Sequence, residues 1–239
     1  MLFLLPPSET KATSASGGAN ESALCLREVS LTFGSLEPAR EQATKLLGQS
    51  LLDAKTMMAI DRYTGTLYGA IHGRGLKGTP TEHAHLSSEA MQRAKQLVLI
   101  QSALFGLISA TDLIPNYKLS ASPKLKSIWA EPHQQVFRRL SGPIIDMRSK
   151  QYVALAPIAS EIESYWLEVV LESPDGSRSS MNHFNKKSKG ELIHAVLNSK
   201  QSPKTIKDLV SVAKKAGFGL EVNERELTLV VSYVPPNAN

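Results

Sequence analysis

A single cysteine, Cys25, stands among the 239 residues. That excludes an internal disulfide framework and any zinc cage built on several thiolates. Long apolar runs are also missing. Met1 to Leu5 is apolar, but it has no basic segment before it and Pro6-Pro7 stops it. A spanning helix needs about 20 apolar residues, and a signal peptide needs a longer apolar core than this. The pattern predicts a cytoplasmic protein with no membrane partner, and Met1–Leu5 reads as a buried strand opening the domain. No internal repeat is evident, and the loop after that strand lacks the Gly-x-x-x-x-Gly-Lys spacing of a P-loop, so no backbone phosphate cradle is predicted there.

What remains is a chain able to build a core. Hydrophobic residues make up 42% and charged residues 21%, with 15 Gly and 13 Pro, which excludes disordered and collagen-like classes. The net charge of +5 is held unevenly. From Lys186 to Lys215 there are eight Lys against Glu191 and Asp208; from Lys118 to Lys150 there are seven basic residues against Glu131 and Asp146. The rest of the chain is net acidic. An acidic body with two basic segments suits a polyanion-facing surface, although ordinary solvated helix faces also look this way.

Periodicity predicts a single α/β (α+β) domain over residues 1–239, with a mixed sheet flanked by helices and a basic cleft. Leu36, Ala39, Ala43, Leu46 and Leu47 share one helical face, and a further helix runs from Ser87 to Gln96 before a central strand at Leu97–Ile100. Ser127–Leu140 contains helix-compatible stretches, with Pro132 most easily placed in a first turn, and Ile144-Ile145 forms a strand ending at Asp146. Tyr165–Glu172 and Gly176–His183 read as two strands around a Pro-Asp-Gly turn. Helices at 190–197 and 202–216 then precede a closing hairpin around Asn223-Glu224-Arg225.

Seven stretches carry a resemblance: Leu4-Leu-Pro-Pro-Ser-Glu-Thr-Lys11, Arg62-Tyr-Thr-Gly-Thr-Leu-Tyr68, Ile100-Gln-Ser-Ala-Leu-Phe-Gly106, Asp112-Leu-Ile-Pro-Asn-Tyr-Lys-Leu119, Trp129, Asp146-Met-Arg-Ser-Lys-Gln-Tyr152 and Lys186-Lys-Ser-Lys-Gly190. In this order and spacing the chain resembles the bacterial YaaA family of peroxide-stress proteins, in the branch whose first loop begins Pro-Pro-Ser-Glu. The resemblance implies a cytoplasmic protein that helps cells withstand hydrogen peroxide and limits damage from free iron. It also implies a compact α/β fold with a positively charged cleft, and binding to double-stranded or distorted DNA through a helix-hairpin-helix element. Between Arg27 and Met57, where that element is expected, the chain is shorter than the family pattern. Ala213–Gly219 superficially resembles such a hairpin, but the residues after it alternate like a strand.

The candidate site residues can then be weighed. Ser8 and Lys11 leave a strand end, where α/β folds place ligand groups, and could hold a phosphate or simply face water. Tyr63 is either core or a cleft wall. Tyr117, Lys118 and Trp129 set aromatic surface beside positive charge, which can flank a sugar-phosphate backbone or merely pack. Arg148 either forks onto a phosphate, oriented by Asp146, or forms an internal ion pair with it. Lys186, Lys187 and Lys189 are placed at a helix start, with Gly190 allowing an anion to approach the backbone amides. Residues 186–215 hold no Arg, so contacts there neutralise phosphates without reading base edges, and sequence-independent DNA binding is the predicted function. An enzyme acting on a phosphorylated or nucleotide-like small molecule is the alternative, although no nucleophile–base pair stands out. The six His form no convincing metal set: His83-x-His85 could chelate only weakly, and neither a metal nor a cofactor is predicted.

Overall fold

The computed structural model describes residues 1–13, 21–76, 84–180 and 182–232. Its centre is β1 (Leu2–Leu5), every residue of which is apolar. β3 (Val98–Ser102) and β6 (Ile144–Asp146) flank it, both parallel to it. Near-continuous apolar runs of this kind mark strands covered on both faces, and all of β3 and β6 is buried. The parallel ladder continues through β7 (Ser164–Glu172) and β10 (Glu226–Ser232). Antiparallel strands close both edges: β4 (Gly106–Ser109) beside β3, and β9 (Gly219–Asn223) beside β10. With β8 (Arg178–Ser179) paired to β7, the sheet has eight strands, ordered β4-β3-β1-β6-β7-β10-β9 along its main path. A separate antiparallel pair joins β2 (Thr56–Met58) to β5 (Leu113–Pro115).

Eight helices lie among the described residues: α1 (Glu37–Lys45), α2 (Ala59–Arg62), α3 (Thr66–Ile71), α4 (Ser88–Leu97), α5 (Pro123–Phe137), α6 (Lys150–Leu155), α7 (Asn182–Leu197) and α8 (Ile206–Lys215). The result is the predicted single α/β fold with a mixed sheet. Local signals explain several boundaries. The Ser87 hydroxyl accepts from the Ala90 amide to start α4, and Thr205 with Asp208 forms a capping box on α8.

Three readings need correction, and a fourth, already disfavoured by the sequence, is excluded. The helical face predicted to run through Leu47 ends with α1 at Lys45; Leu36, Ala39 and Ala43 are buried on it, while Leu46 is 45% exposed. Pro132 sits inside α5 and not in its first turn, a position taken by Pro123. The helix forgoes one backbone bond at Pro132 and is held by its buried face of Leu125, Trp129, His133, Val136 and Phe137. The strand expected over Gly176–His183 shrinks to β8, because β10 pairs Trp166–Glu172 of β7 on one edge and β6 takes Ser164–Trp166 on the other. Finally, Ala213–Gly219 is not a phosphate-binding hairpin. The Phe218 amide donates to the Ala213 carbonyl (3.0 Å) and the Gly217 amide to the Lys214 carbonyl (3.1 Å), with Gly217 at φ +86°. This is a Schellman stop to α8, and it uses the two amides that a phosphate would need.

Candidate functional site

The C-terminal ends of β3, β1 and β6 point to one edge of the sheet, and the chain leaves β1 for neighbours on opposite sides. Open α/β sheets bind ligands in the crevice at such a switch point. Three loops meet there: Pro6–Lys11 after β1, 103–105 after β3, and Met147–Ser149 after β6.

The first loop is tied to the segment that enters α3. Lys11 forms an isolated backbone bridge with Tyr63, the Ala12 amide donates to the Arg62 carbonyl (2.7 Å), and the Thr64 amide donates to the Thr10 carbonyl (3.1 Å). Gly65, at φ +100°, leaves only 3.2 Å between its would-be Cβ and the Ser8 Oγ, so a side chain there would push the loop away. The Tyr68 hydroxyl donates to the Pro6 carbonyl at 2.7 Å.

Beneath this loop lies a chain of hydroxyls. Ser102 Oγ accepts from the Leu104 amide (3.1 Å) and the Phe105 amide (2.9 Å) and lies 2.8 Å from the Tyr117 hydroxyl, which lies 2.7 Å from that of Tyr63. Because both Ser102 lone pairs are taken, its hydrogen goes to Tyr117, and either phenol can donate in the bond between Tyr117 and Tyr63. Burial pushes the Tyr117 phenol up to about 12 and that of Tyr63 well above its ordinary value, so both stay neutral donors.

Lys11 caps this arrangement. Its Nζ donates to the carbonyls of Ser8 (3.2 Å) and Glu9 (3.3 Å) and lies 4.2 Å from the Tyr117 ring centre and 5.6 Å from that of Tyr63. No carboxylate lies within ion-pair distance of it among the described residues. Burial lowers its pKa to about 8, against the opposing pull of Glu9.

The other sequence-predicted residues separate by burial. Lys118 and Lys186 are exposed, Ser8 is half-buried, and half-buried Lys187 pairs with Glu191 at 3.4 Å. Trp129 is 0% exposed, and its Nε1 donates to the Ala103 carbonyl at 2.9 Å. Its ring lies against Gly106, where a Cβ would sit 2.6 Å from it, so the indole is packing and has no face for a base. Arg148 is also 0% exposed. Its Nε and Nη2 donate to the two Asp146 carboxylate oxygens (2.9 and 2.6 Å) and Nη1 to Gln101 Oε1 and the Ala156 carbonyl, which settles the choice for the internal ion pair. Lys186, Lys187 and Lys189 do not start a helix. They lie more than one turn inside α7, where backbone amides are bonded along the helix. Lys189 is 6% exposed and donates to the Met147 carbonyl at 3.2 Å. Gly190 admits another helix and not an anion: its would-be Cβ falls 2.3 Å from the Leu67 carbonyl oxygen on α3.

Sequence reasoning missed two features. Arg62, fully buried, donates to the carbonyls of Ala12 (2.7 Å) and Ile114 (3.2 Å) and to Glu21 Oε1 (3.0 Å), and so anchors the strip that carries Lys11. A cavity of about 160 Å³ opens beside Tyr63, lined by Asp61, Tyr68, His72, Arg74 and His85. There His72 Nε2 lies 3.3 Å from Asp61 Oδ1, and burial holds its pKa below the usual value. No sequence spacing signals this pair, because α2 and α3 bring it together. His83 lies outside the described residues, and no group of three or more metal-ligating side chains occurs among those described. A larger void of about 1010 Å³ is lined mainly from the 26–52 region, by Leu26, Arg40 and Leu51 among others, and by Phe105.

Comparison with known proteins finds relatives along most of the chain. A family model described as peroxide stress protein YaaA matches residues 1–224. A UPF0246 protein of Corynebacterium glutamicum (strain R) is 34% identical over 268 aligned positions, covering 97% of this chain and 100% of that protein. A UPF0246 protein of Streptomyces coelicolor is 31% identical, with 92% of each chain covered. The 268-position alignment is longer than the 239-residue chain, so the first relative carries residues that this one lacks.

Proposed function

The chain belongs to the YaaA peroxide stress protein family, and from that premise we propose that it works in the cytoplasm by holding the sugar-phosphate backbone of duplex or distorted DNA without regard to sequence. The supporting observation is the surface of α7, α8 and the turn between them. Lys186, Lys200, Lys204, Lys207, Lys214 and Lys215 are all exposed there, and none has an ion-pair partner among the described residues. The two acids in the same stretch are already engaged. Glu191 pairs with Lys187, and Asp208 accepts from the Lys204 and Thr205 amides (3.0 Å each). Unpartnered ammonium groups are the currency of counterion release, whereas the lack of Arg removes the fork that reads guanine. Helices long and apolar enough to cross a membrane are absent among the described residues.

The test is duplex binding at several salt concentrations. With about 4–6 phosphates neutralised, log K should fall against log salt with a slope of roughly −4 to −5, equally for unrelated sequences. Changing Lys204, Lys207 and Lys214 to Ala should flatten that slope by about 2–3 units. A slope near zero, or no duplex binding at low salt, refutes the reading. The second reading, a small phosphorylated or nucleotide-like ligand, is favoured by one observation: Lys11 and the hydroxyl chain stand at the strand ends and not on the Lys-bearing helices.

A further inference from the structure

We propose that Lys11 is a carbonyl-capturing amine, which condenses with an aldehyde carried on a sugar phosphate to form a reversible imine. The proposal rests on the sugar-phosphate reading above and deepens it by naming the reactive group of the ligand.

The geometry separates Lys11 from every other lysine described. A lysine that only neutralises phosphate stands in water, as Lys186 and Lys207 do. Lys11 instead is half-buried at the switch point of the sheet, laid over the Tyr117 ring, with only the carbonyls of its own loop as partners. Lys189 shares the desolvation, but it is sealed beneath α7, bonded to the Met147 carbonyl and over the Trp166 ring at 5.4 Å. Among the described lysines, Lys11 alone combines a desolvated amine with access from solvent. Enzymes prepare nucleophilic lysines in this way, by removing water from the ammonium. With a pKa lowered to about 8, roughly a tenth of Lys11 is the free amine at pH 7, against less than about a thousandth for an ordinary lysine. Exposed Lys118, next in the chain to Tyr117, and the half-buried Ser8 hydroxyl are placed to meet the phosphate.

The step balances without a co-reactant. The Nζ lone pair attacks the carbonyl carbon, forming a C–N bond while the C–O π bond breaks. Both amine hydrogens pass to the carbonyl oxygen, the remaining C–O bond breaks, and water leaves. Nothing is oxidised or reduced, and hydrolysis reverses the step.

The aldehyde has two chemical sources: an abasic deoxyribose within a duplex, or a free sugar phosphate. The whole chain is incubated with a duplex holding one abasic site, with the intact duplex, or with 2-deoxyribose 5-phosphate. Borohydride then reduces any imine to a stable amine, and peptide mapping locates it. The expected result is an adduct on the Lys11 peptide that requires an aldehyde arm and rises with pH around a midpoint near 8. Lys11→Arg, which keeps the charge and loses the nucleophile, should lower the adduct at least ~10-fold while leaving the unfolding midpoint in place. Should that variant fail to fold, the peptide map and the pH midpoint of the natural chain decide alone. No adduct in either aldehyde arm, or adducts spread evenly over the exposed lysines, overturns the proposal. Intact-duplex binding is measured separately. Binding without an adduct sinks the imine and keeps the DNA reading, whereas an adduct with the free sugar phosphate but no duplex binding keeps the imine and sinks that reading.

Discussion

Gly190→Ala sets two effects of known size against each other. Glycine inside a helix costs about 1 kcal/mol relative to alanine, so α7 considered alone should be stabilised by the change. The position is not alone, however. The new Cβ would stand 2.3 Å from the Leu67 carbonyl oxygen and 2.7 Å from the Ala70 Cβ, both on α3. Relieving those contacts requires α3 and α7 to separate by about 1 Å, and overpacking of this kind typically costs about 1–3 kcal/mol. Because the obstacle is backbone and not a flexible side chain, the upper part of that range applies, and the net expectation is a loss of about 1–2 kcal/mol. Gly34→Ala is the control, since nothing lies within 4 Å of its would-be Cβ. There the change should be neutral or stabilising by up to about 1 kcal/mol. Urea unfolding at neutral pH measures both. The reasoning is refuted if Gly190→Ala is as stable as the natural chain, or shifts in the same direction as Gly34→Ala. Displacing α3 should also disturb the Lys11 strip, because Tyr68 on α3 holds the Pro6 carbonyl.

Asp146→Ala should cost about 3–5 kcal/mol in urea unfolding, because it strands a guanidinium with no exposure; a loss under about 1 kcal/mol would mean that Arg148 can swing out towards a ligand. His133 is held at about 4 by burial, whereas the unfolded chain protonates near 6.5, so its contribution is complete above pH 6.5 and is lost as pH falls towards 4, by on the order of 3 kcal/mol. Comparing unfolding free energies at pH 7 and pH 4.5 for the natural chain and His133→Gln should show a shallower loss in the variant, and equal losses would contradict the assignment.

How much of the structure is legible in the sequence depends on how far each signal reaches. The strands β1, β3 and β6 grow from short apolar runs stopped by Pro, Gln or Asp, and they form close to where pattern places them. The loop with Ser8 and Lys11 leaves a strand end as expected, although its neighbour Tyr63 arrives through a long-range bridge that no spacing encodes. Lys189 is readable once the helix boundary is right. With α7 begun at Asn182 and not near Gly190, Lys189 falls on the stripe of Leu192, Ile193 and Val196, all buried, and its burial follows from helical period alone. Arg148 and Trp129 are illegible for a different reason. Their surroundings are assembled by Gln101, Ala103 and Ala156, which lie 8 to 47 residues away in sequence.

The Arg27–Met57 stretch bears on how any DNA contact must work. It holds a 3-10 turn at Leu26–Glu28, another at Gly34–Leu36, the nine-residue α1 and the start of β2. One helix cannot form a helix-hairpin-helix, and the other candidate stretch ends in the Schellman stop at Gly217. A helix-hairpin-helix grips phosphate largely through backbone amides, which carry no full charge to exchange for counterions. Without that element in either place among the described residues, the proposed DNA contact rests on ammonium groups, and each such contact adds to the salt dependence. The salt slope is therefore a measure of mechanism as well as of affinity. A slope well short of about −4 combined with tight binding would point to amide contacts elsewhere, while a slope tracking the number of exposed lysines removed would assign the work to α7 and α8.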